Sequence, residues 1–339
     1  MKTCEKPRDT SMKVLLRCSA VVAGLFVAAV AGPTVHSAET RAFATPEAAA
    51  AALVEVLRNQ DRAGALELLG SENEQWIRSG DAVQDKSDVE RFIVAYDKKN
   101  GIEKPSDETA VLLVGDDDYP FSIPIVRGDE GWVFDAEQGK EELLSRRIGR
   151  NELSTIQTVQ AIADAQLEYA EVDRNGNGVM EYAAYIVSSL GERDGLWWPT
   201  KDGEPASPLG PLVADAVREG YEPQEAVQSG EPVDESQPYH GYHFKLLTRQ
   251  GDSAPGGARE YIVGGLVIGG FAVLAYPANY GNTGIMTFIM SQDGIIYDRD
   301  LGPATDSLVV EIESFNPGEG WKIVDPSDAS LPSEISASE

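Results

Sequence analysis

Both cysteines of this 339-residue chain, Cys4 and Cys18, lie at its extreme N-terminus, inside a stretch that reads as an export leader. A chain sent to an oxidising compartment without a disulfide must be held by buried apolar surface and hydrogen bonds alone. Length makes that feasible: 339 residues suit about two domains, each able to bury its own core. The same count excludes cysteine nucleophiles, thiolate metal sites and redox dithiols from the mature part.

The leader begins most naturally at Met12-Lys13, with Lys13 and Arg17 ahead of an uncharged run at residues 19–32, then Pro33 and small residues to Ser37-Ala38. Cleavage after Ser37 places Val35 and Ser37 at the positions read by the peptidase, so residues 1–38 are expected to be removed. The run is shorter than the ~20 apolar residues a spanning helix needs, and no membrane insertion is expected after cleavage. Cys18 stands at the start of the apolar run, where a lipid-modified cysteine does not occur. The expected location is periplasmic or secreted. Lys plus Arg total 28 against 56 Asp plus Glu, a formal charge of −28. Such a surface repels nucleic acid and anionic lipid and attracts divalent cations. The expected partner is an envelope protein or polymer.

Thr45-Pro46-Glu47 supplies an N-cap, a proline at the first helical position and an acid near the positive end of the helix dipole, ahead of Ala51, Leu53, Val54 and Leu57 at helical spacing. Asp61 starts a second helix that Gly70 ends, and Ser87-Asp88-Val89-Glu90 has the form of a capping box before Phe92, Ile93 and Tyr96. Strands follow at residues 110–114, 121–126 and 132–134. Residues 39–143 are therefore expected to form an N-terminal α+β domain of helices and a curved antiparallel sheet, an element order that resembles the nuclear transport factor two-like fold. Residues 139–149, with Gly139, Gly149 and the cluster Arg146, Arg147 and Arg150, read as a hinge whose arginines pair with acidic neighbours across the boundary.

Asn151 caps a long helix to about residue 171, followed by the run 179–187 and a polar segment at 191–237 broken by prolines and glycines. Residues 242–247, 261–267, 270–276, 284–290 and 294–297 are expected to be strands separated by glycine turns, making 144–325 an α+β domain of a long helix on an antiparallel sheet. The uncharged run 261–276 is read as two buried strands. Residues 326–339 form an acidic tail.

Gly131-Trp132-Val133-Phe134-Asp135, the run from Arg146 through Gly149-Arg150-Asn151 to Leu153, Ser207-Pro208-Leu209-Gly210-Pro211-Leu212, Pro238-Tyr239-His240-Gly241-Tyr242 and Tyr280-Gly281-Asn282-Thr283-Gly284 together resemble the exported bacterial family catalogued as domain of unknown function 2950. That resemblance spans residues 42–325 and implies no activity. The order of long helix, acidic loop, variable loop and glycine-rich sheet ending in Gln292-Asp293-Gly294-Ile295-Ile296-Tyr297 is similar to the globular part of type IV pilin-like proteins. It implies a pilin-like C-terminal fold, here without an N-terminal polymerising helix.

Asp173, Asn175, Asn177, Val179 and Glu181 fall at alternate positions around Gly178, as the oxygens of a calcium loop do. Ala184 stands where such a loop carries its bidentate glutamate. An Asn-Gly turn that ends the long helix needs the same residues, so calcium is the one candidate cofactor and a plain turn its alternative. His240 and His243 have H-x-x-H spacing, which on a strand points the two rings to opposite faces. Trp197 and Trp198, together with His240, make a candidate recognition patch, with a plug between the domains as the other role for the tryptophans. No Gly-x-Ser-x-Gly elbow exists and no catalytic residue is assigned. These readings favour a non-catalytic binding or assembly module, with an envelope hydrolase using carboxylates, and calcium, as the alternative.

Overall fold

The computed structural model describes residues 40–201, 203–222 and 237–325; the expected leader and acidic tail lie outside them. The chain opens as its caps dictate. Helix α1 (Pro46–Arg58) starts at Thr45, whose hydroxyl accepts from Ala48 N at 3.2 Å, and α2 (Arg62–Leu69) starts at Asp61 and stops at Gly70, whose φ is positive. A short α3 (Glu74–Ile77) follows. Helix α4 (Ala82–Lys98) begins earlier than the Ser87 box suggests, because Asp81 already caps it by accepting from Gln84 N at 3.0 Å. Ser87 is then an interior helical residue whose hydroxyl accepts from Arg91 Nη1.

Strands β1 (Asn100–Glu103), β2 (Thr109–Val114), β3 (Tyr119–Pro120), β4 (Ile125–Gly128) and β5 (Gly131–Phe134) form an antiparallel sheet in the order β1-β2-β4-β5, with β3 on β2. In β2 alternate residues, Ala110, Leu112 and Val114, are buried, the period expected of a sheet with one covered face. They pack with Ala49, Leu53, Leu68, Trp76 and Phe134 into the first core.

Helix α5 (Ala136–Ala170) runs 35 residues without interruption, capped by Asp135, so the stretch read as a hinge is helix. Gly139 is there for space: a Cβ at that position would meet Ile123 Cα at 2.6 Å, which is how the first turn of α5 lies flush on the segment before β4. Gly149 has open space around its Cα. The arginines divide their work. Arg146 pairs with Glu142 at 2.6 Å, and Arg150 crosses to Asp88 of α4 at 2.6 Å. Arg147 is buried and binds carbonyls instead, donating to Trp76 O and Ile77 O at 2.8 Å each and to Asn282 Oδ1.

Beyond α5 come a parallel pair, β6 (Tyr185–Val187) and β7 (Gly195–Trp197), and then α6 (Gly210–Glu219). Of the run 179–187 only β6 is strand, while α6 arises inside the segment read as a polar loop, with Pro211 in its first turn and the left-handed Gly220 at its end. Strand β8 (Tyr242–Leu247) leads to two short hairpins, β9 (Arg249–Gln250) with β10 (Arg259–Glu260), and β11 (Ile262–Val263) with β12 (Leu266–Val267). Residues 261–267 are thus not one buried strand: Gly264 and Gly265 both take positive φ and fold the run back on itself, leaving Ile262 and Val263 exposed.

Strands β13 (Ala272–Pro277), β14 (Met286–Ser291) and β15 (Ile296–Asp300), a short α7 (Thr305–Glu311) and β16 (Lys322–Ile323) complete the chain, and the second sheet has the order β16-β15-β14-β13-β8, antiparallel throughout. β13 is covered on both faces. Val273 and Ala275 face the core built on Ile156, Val159, Ile162 and Tyr169 of α5, whereas Ala272 and Leu274 face a third core with Tyr261 and Phe315. Burial on both sides explains an uncharged strand. No helix among the described residues is long and apolar enough to cross a membrane. The architecture is α+β with two antiparallel sheets, and the boundary expected at 143/144 falls within α5.

The two helical glycines give opposite expectations. Gly149→Ala raises stability by about 0.5–1 kcal/mol, since alanine gains helix propensity without a clash, whereas Gly139→Ala lowers it; urea unfolding reads both. Arg147→Lys keeps the charge and loses the planar fork that reaches three acceptors, and it costs about 1–3 kcal/mol by the same measurement.

Candidate functional site

The residues that carry chemistry gather where α4, α5 and α6 meet the turn before β8. Tyr239 and Tyr242 exchange backbone hydrogen bonds of 2.9 and 3.1 Å, closing a two-residue turn in which His240 has φ +49° and Gly241 φ +75°. The left-handed region suits Gly241; it is uncommon for histidine and persists only where neighbours enforce it. The enforcers are Tyr221, whose hydroxyl accepts from His240 N at 3.2 Å, and Asp81, whose Oδ2 accepts from Gly241 N at 3.0 Å and from Tyr221 Oη at 2.8 Å. Asp81 is 2% exposed. One buried carboxylate therefore caps α4, fixes the end of α6 through Tyr221 and holds the His240 turn.

The imidazole is clamped on both nitrogens. Nδ1 lies 3.0 Å from Gln84 Oε1 and Nε2 lies 3.2 Å from Glu219 Oε2. Gln84 Nε2 donates to Asp88 Oδ1 at 3.1 Å, and Asp88 also takes Arg91 on Oδ1 and Arg150 on Oδ2. Gln84, Arg91, Arg150, Glu219 and His240 line a cleft of about 240 Å³, with Ser87, Ser154 and Tyr221 also on its walls. Burial pushes the His240 imidazole below its ordinary value, against the opposing pull of Asp81, and pushes the Glu219 carboxyl up, against Arg91 and Arg218. Both shifts favour the neutral form of the group concerned.

His243 lies apart, in β8 beside Tyr276, with ring centroids 5.4 Å apart. The H-x-x-H pair is thus split between a turn and a strand. Trp198 is buried in the core under α5, edge-on to Tyr169, and Trp197 is half-buried against that core. The tryptophans pack the C-terminal core and present no exposed patch with His240, because β7 runs under α5 and not along the surface. Of the three residues of that patch, His240 alone borders a cleft.

The Asp173 loop is tightly self-bonded. Asp173 accepts from the N–H groups of Gly176, Asn177 and Gly178, and Val179 N donates to Asn177 Oδ1 at 2.9 Å. The side-chain nitrogens of Asn175 and Asn177 converge on Glu181 Oε1, while Glu181 Oε2 accepts from Val267 N at 2.7 Å. Asn175, Asn177 and Glu181 are therefore brought together, but with amide nitrogens facing the carboxylate. A calcium ion needs oxygens there, so both amides would have to turn over. Among the described residues no group of three or more His, Cys, Asp or Glu is placed to hold a metal.

Sequence reasoning missed Glu219, Tyr221, Asp81, Gln84 and Arg91. The helix signals around α6, Pro211 and Gly220, mark the first of these; nothing local marks Asp81 beyond its cap position.

A pH prediction follows from the clamp. The neutral His240 contributes stability above its ordinary value of 6.5 that is lost as pH falls through its lower native value, because the unfolded chain takes up a proton the native ring resists. Glu219, with a raised pKa, contributes stability present below 4.5 that is lost as pH rises through its native value. Urea midpoints measured across that range should lose their acid-side decline in His240→Asn, since asparagine tolerates the left-handed backbone, and their alkaline-side decline in Glu219→Gln.

No curated protein and no solved structure matches the chain. Residues 40–324 match the family described as Protein of unknown function (DUF2950), and the chain belongs to that family.

Proposed function

We propose that the protein is an exported, non-catalytic binding module of the cell envelope, periplasmic or secreted, and that it takes its ligand in the cleft beside His240. Export rests on the leader pattern of residues 12–38. The observation that carries the binding reading is the His240 turn: a left-handed histidine and a buried aspartate are held together by bonds among Asp81 at the cap of α4, Tyr221 just beyond α6 and the turn leading into β8, at the rim of a cleft carrying two guanidinium groups. Strain maintained by several elements at a cleft is characteristic of sites that hold ligands. The imidazole nitrogens face Gln84 and Glu219 and not the cleft's serines, Ser87 and Ser154, so a serine–histidine mechanism has no support. The two sheets are consistent with a nuclear transport factor two-like N-terminal part and a pilin-like C-terminal part, and the chain's charge of −28 speaks against nucleic acid as a partner.

The alternative is an envelope hydrolase using carboxylates, with calcium at Asp173, Asn175, Asn177, Val179 and Glu181. It draws on the raised Glu219 carboxyl, poised as an acid beside His240. One experiment separates the readings. Immobilised mature protein is incubated with solubilised envelope extract with and without calcium, beside the variants Arg150→Ala and Glu219→Gln, and both retained and released material are analysed. The binding reading expects intact material to be retained by the wild type and lost at least tenfold in Arg150→Ala. Cleaved envelope polymer, abolished in Glu219→Gln with the fold intact, replaces it by the hydrolase.

A further inference from the structure

The cleft's hydrogen bonds fix where its protons are. Asp88 is gripped by Arg91 and Arg150, so it is an acceptor, and it receives Gln84 Nε2 at 3.1 Å. That orients the amide with Oε1 toward the ring, and the 3.0 Å contact to Nδ1 is then a bond in which the imidazole donates. A neutral ring has one N–H, so Nε2 carries a lone pair, and it lies 3.2 Å from a carboxylate oxygen. Two acceptors cannot face each other at that distance without a proton between them. The chain Asp88–Gln84–His240–Glu219 is complete only when the last pair holds one proton.

Arg150 gives Asp88 only Nη2; its Nε is buried without a partner, and its Nη1 has none among the described residues. Arg91, more than half exposed, gives one nitrogen to Asp88 and one to Ser87. On a chain of charge −28, two forks with unused donors at one cleft mark an anion site. Asp88 already shows the form of anion they accept, a planar carboxylate taking one guanidinium on each oxygen. With Asp81, Asp88 and Glu219 close by, a single negative charge is tolerated better than the double charge of phosphate. A space of about 240 Å³ is below that of sites for drug-sized ligands.

Resting on the binding reading above, we infer that this cleft is a proton-coupled site for a small carboxylate-bearing molecule, held by Arg91 and Arg150 while the His240–Glu219 pair takes up the proton that accompanies it. The charged and titratable groups around that pair are Asp81, Asp88 and Arg91 from α4, Arg150 from α5, Arg218 and Tyr221 at the end of α6, and Tyr239 of the turn. An anion arriving at the two arginines offsets the charge with which they resist protonation of His240, so it raises the proton affinity of the pair. Linkage is reciprocal, and protons must strengthen carboxylate binding by the same factor.

The test is calorimetric titration of the mature protein with lactate, a monocarboxylate that stays singly charged from mildly acid to neutral pH, with inorganic phosphate as a second arm, over that pH range in two buffers of differing protonation enthalpy. The expected result is lactate binding with uptake of up to one proton, weakening toward tenfold per pH unit once the pair has lost its proton. Arg150→Ala and Arg91→Ala each weaken it at least tenfold, and Glu219→Gln abolishes the pH dependence. Arg91 is on the surface, so its variant remains informative where Arg150→Ala fails to fold. Absence of lactate binding, binding indifferent to both arginines, or tighter binding of phosphate than lactate overturns the inference. Retention of envelope material through Arg150 without lactate binding defeats the carboxylate assignment alone; loss of both defeats the binding reading as well.

Discussion

The described architecture depends on a guanidinium group buried without a carboxylate in contact. Arg147 stands in the middle of α5, and its donors satisfy Trp76 O and Ile77 O at the end of α3 and Asn282 Oδ1 in the loop between β13 and β14. Asn282 turns its own amide nitrogen onto Arg78 O at 2.8 Å, and Asn151, one turn along α5, donates to Thr283 O at 3.0 Å. The first core and the sheet beyond it are therefore tied to one helix by hydrogen bonds among backbone carbonyls, an arginine and two asparagines. Burying that charge is costly unless each donor finds an acceptor. Its satisfaction needs both parts of the chain in place at once, and with no cysteine beyond residue 18 the parts are joined by such hydrogen bonds and packing alone.

The cleft is a consequence of that link. α4 reaches Asp81 only because the Ser79-Gly80-Asp81 segment leaves α3 next to Arg147, and the His240 turn reaches Asp81 because Gly241 lies against Asn151 and Thr283, where a Cβ would come within 2.6 and 2.8 Å. The close approach leaves no room for a side chain at 241, and the two-residue turn closes with both His240 and Gly241 at positive φ. His240 thus occupies a strained conformation because the junction is tight, and its ring is delivered to Gln84 and Glu219 as a result. A residue that local sequence would place on a strand end becomes the wall of a cavity.

How much of this was readable from the chain alone differs by element. Caps and periodicity located α1, α2 and β2 nearly to the residue, because Thr45, Asp61, Gly70 and the alternation at 110–114 act locally. The arginine-rich stretch with two glycines reads as a hinge from sequence, and glycine does penalise a helix in isolation. Packing overrides that penalty: Gly139 is required by Ile123, 16 residues earlier in sequence and in contact only once folded. α6 was hidden by the prolines and acids around it, although Pro211 and Gly220 bracket it properly. With α6 unseen, Glu219 and Tyr221 had no position, and the cleft could not be assembled from motifs. His240 was singled out for its spacing to His243, yet it matters through partners more than 150 residues away, Asp81 and Gln84, which no pattern in the sequence connects to it.

The placement of the cleft carries a thermodynamic consequence. Its walls come from α4, which packs in the first core, and from α6 and the β8 turn, which belong to the other part of the chain, with α5 between them. Any molecule bound there contacts both parts, and it binds only the arrangement in which they are docked. Occupancy therefore stabilises the Arg147 junction by mass action, and loosening the junction must weaken occupancy by the same free energy. Asp81 sits where the two effects meet. It accepts hydrogen bonds from α4, from Tyr221 and from Gly241, so a change in the His240–Glu219 pair is felt by the same carboxylate that holds the parts together. A ligand bound in a cleft built on such a joint would need no moving lid to be felt, since the stability of the joint would itself be the response.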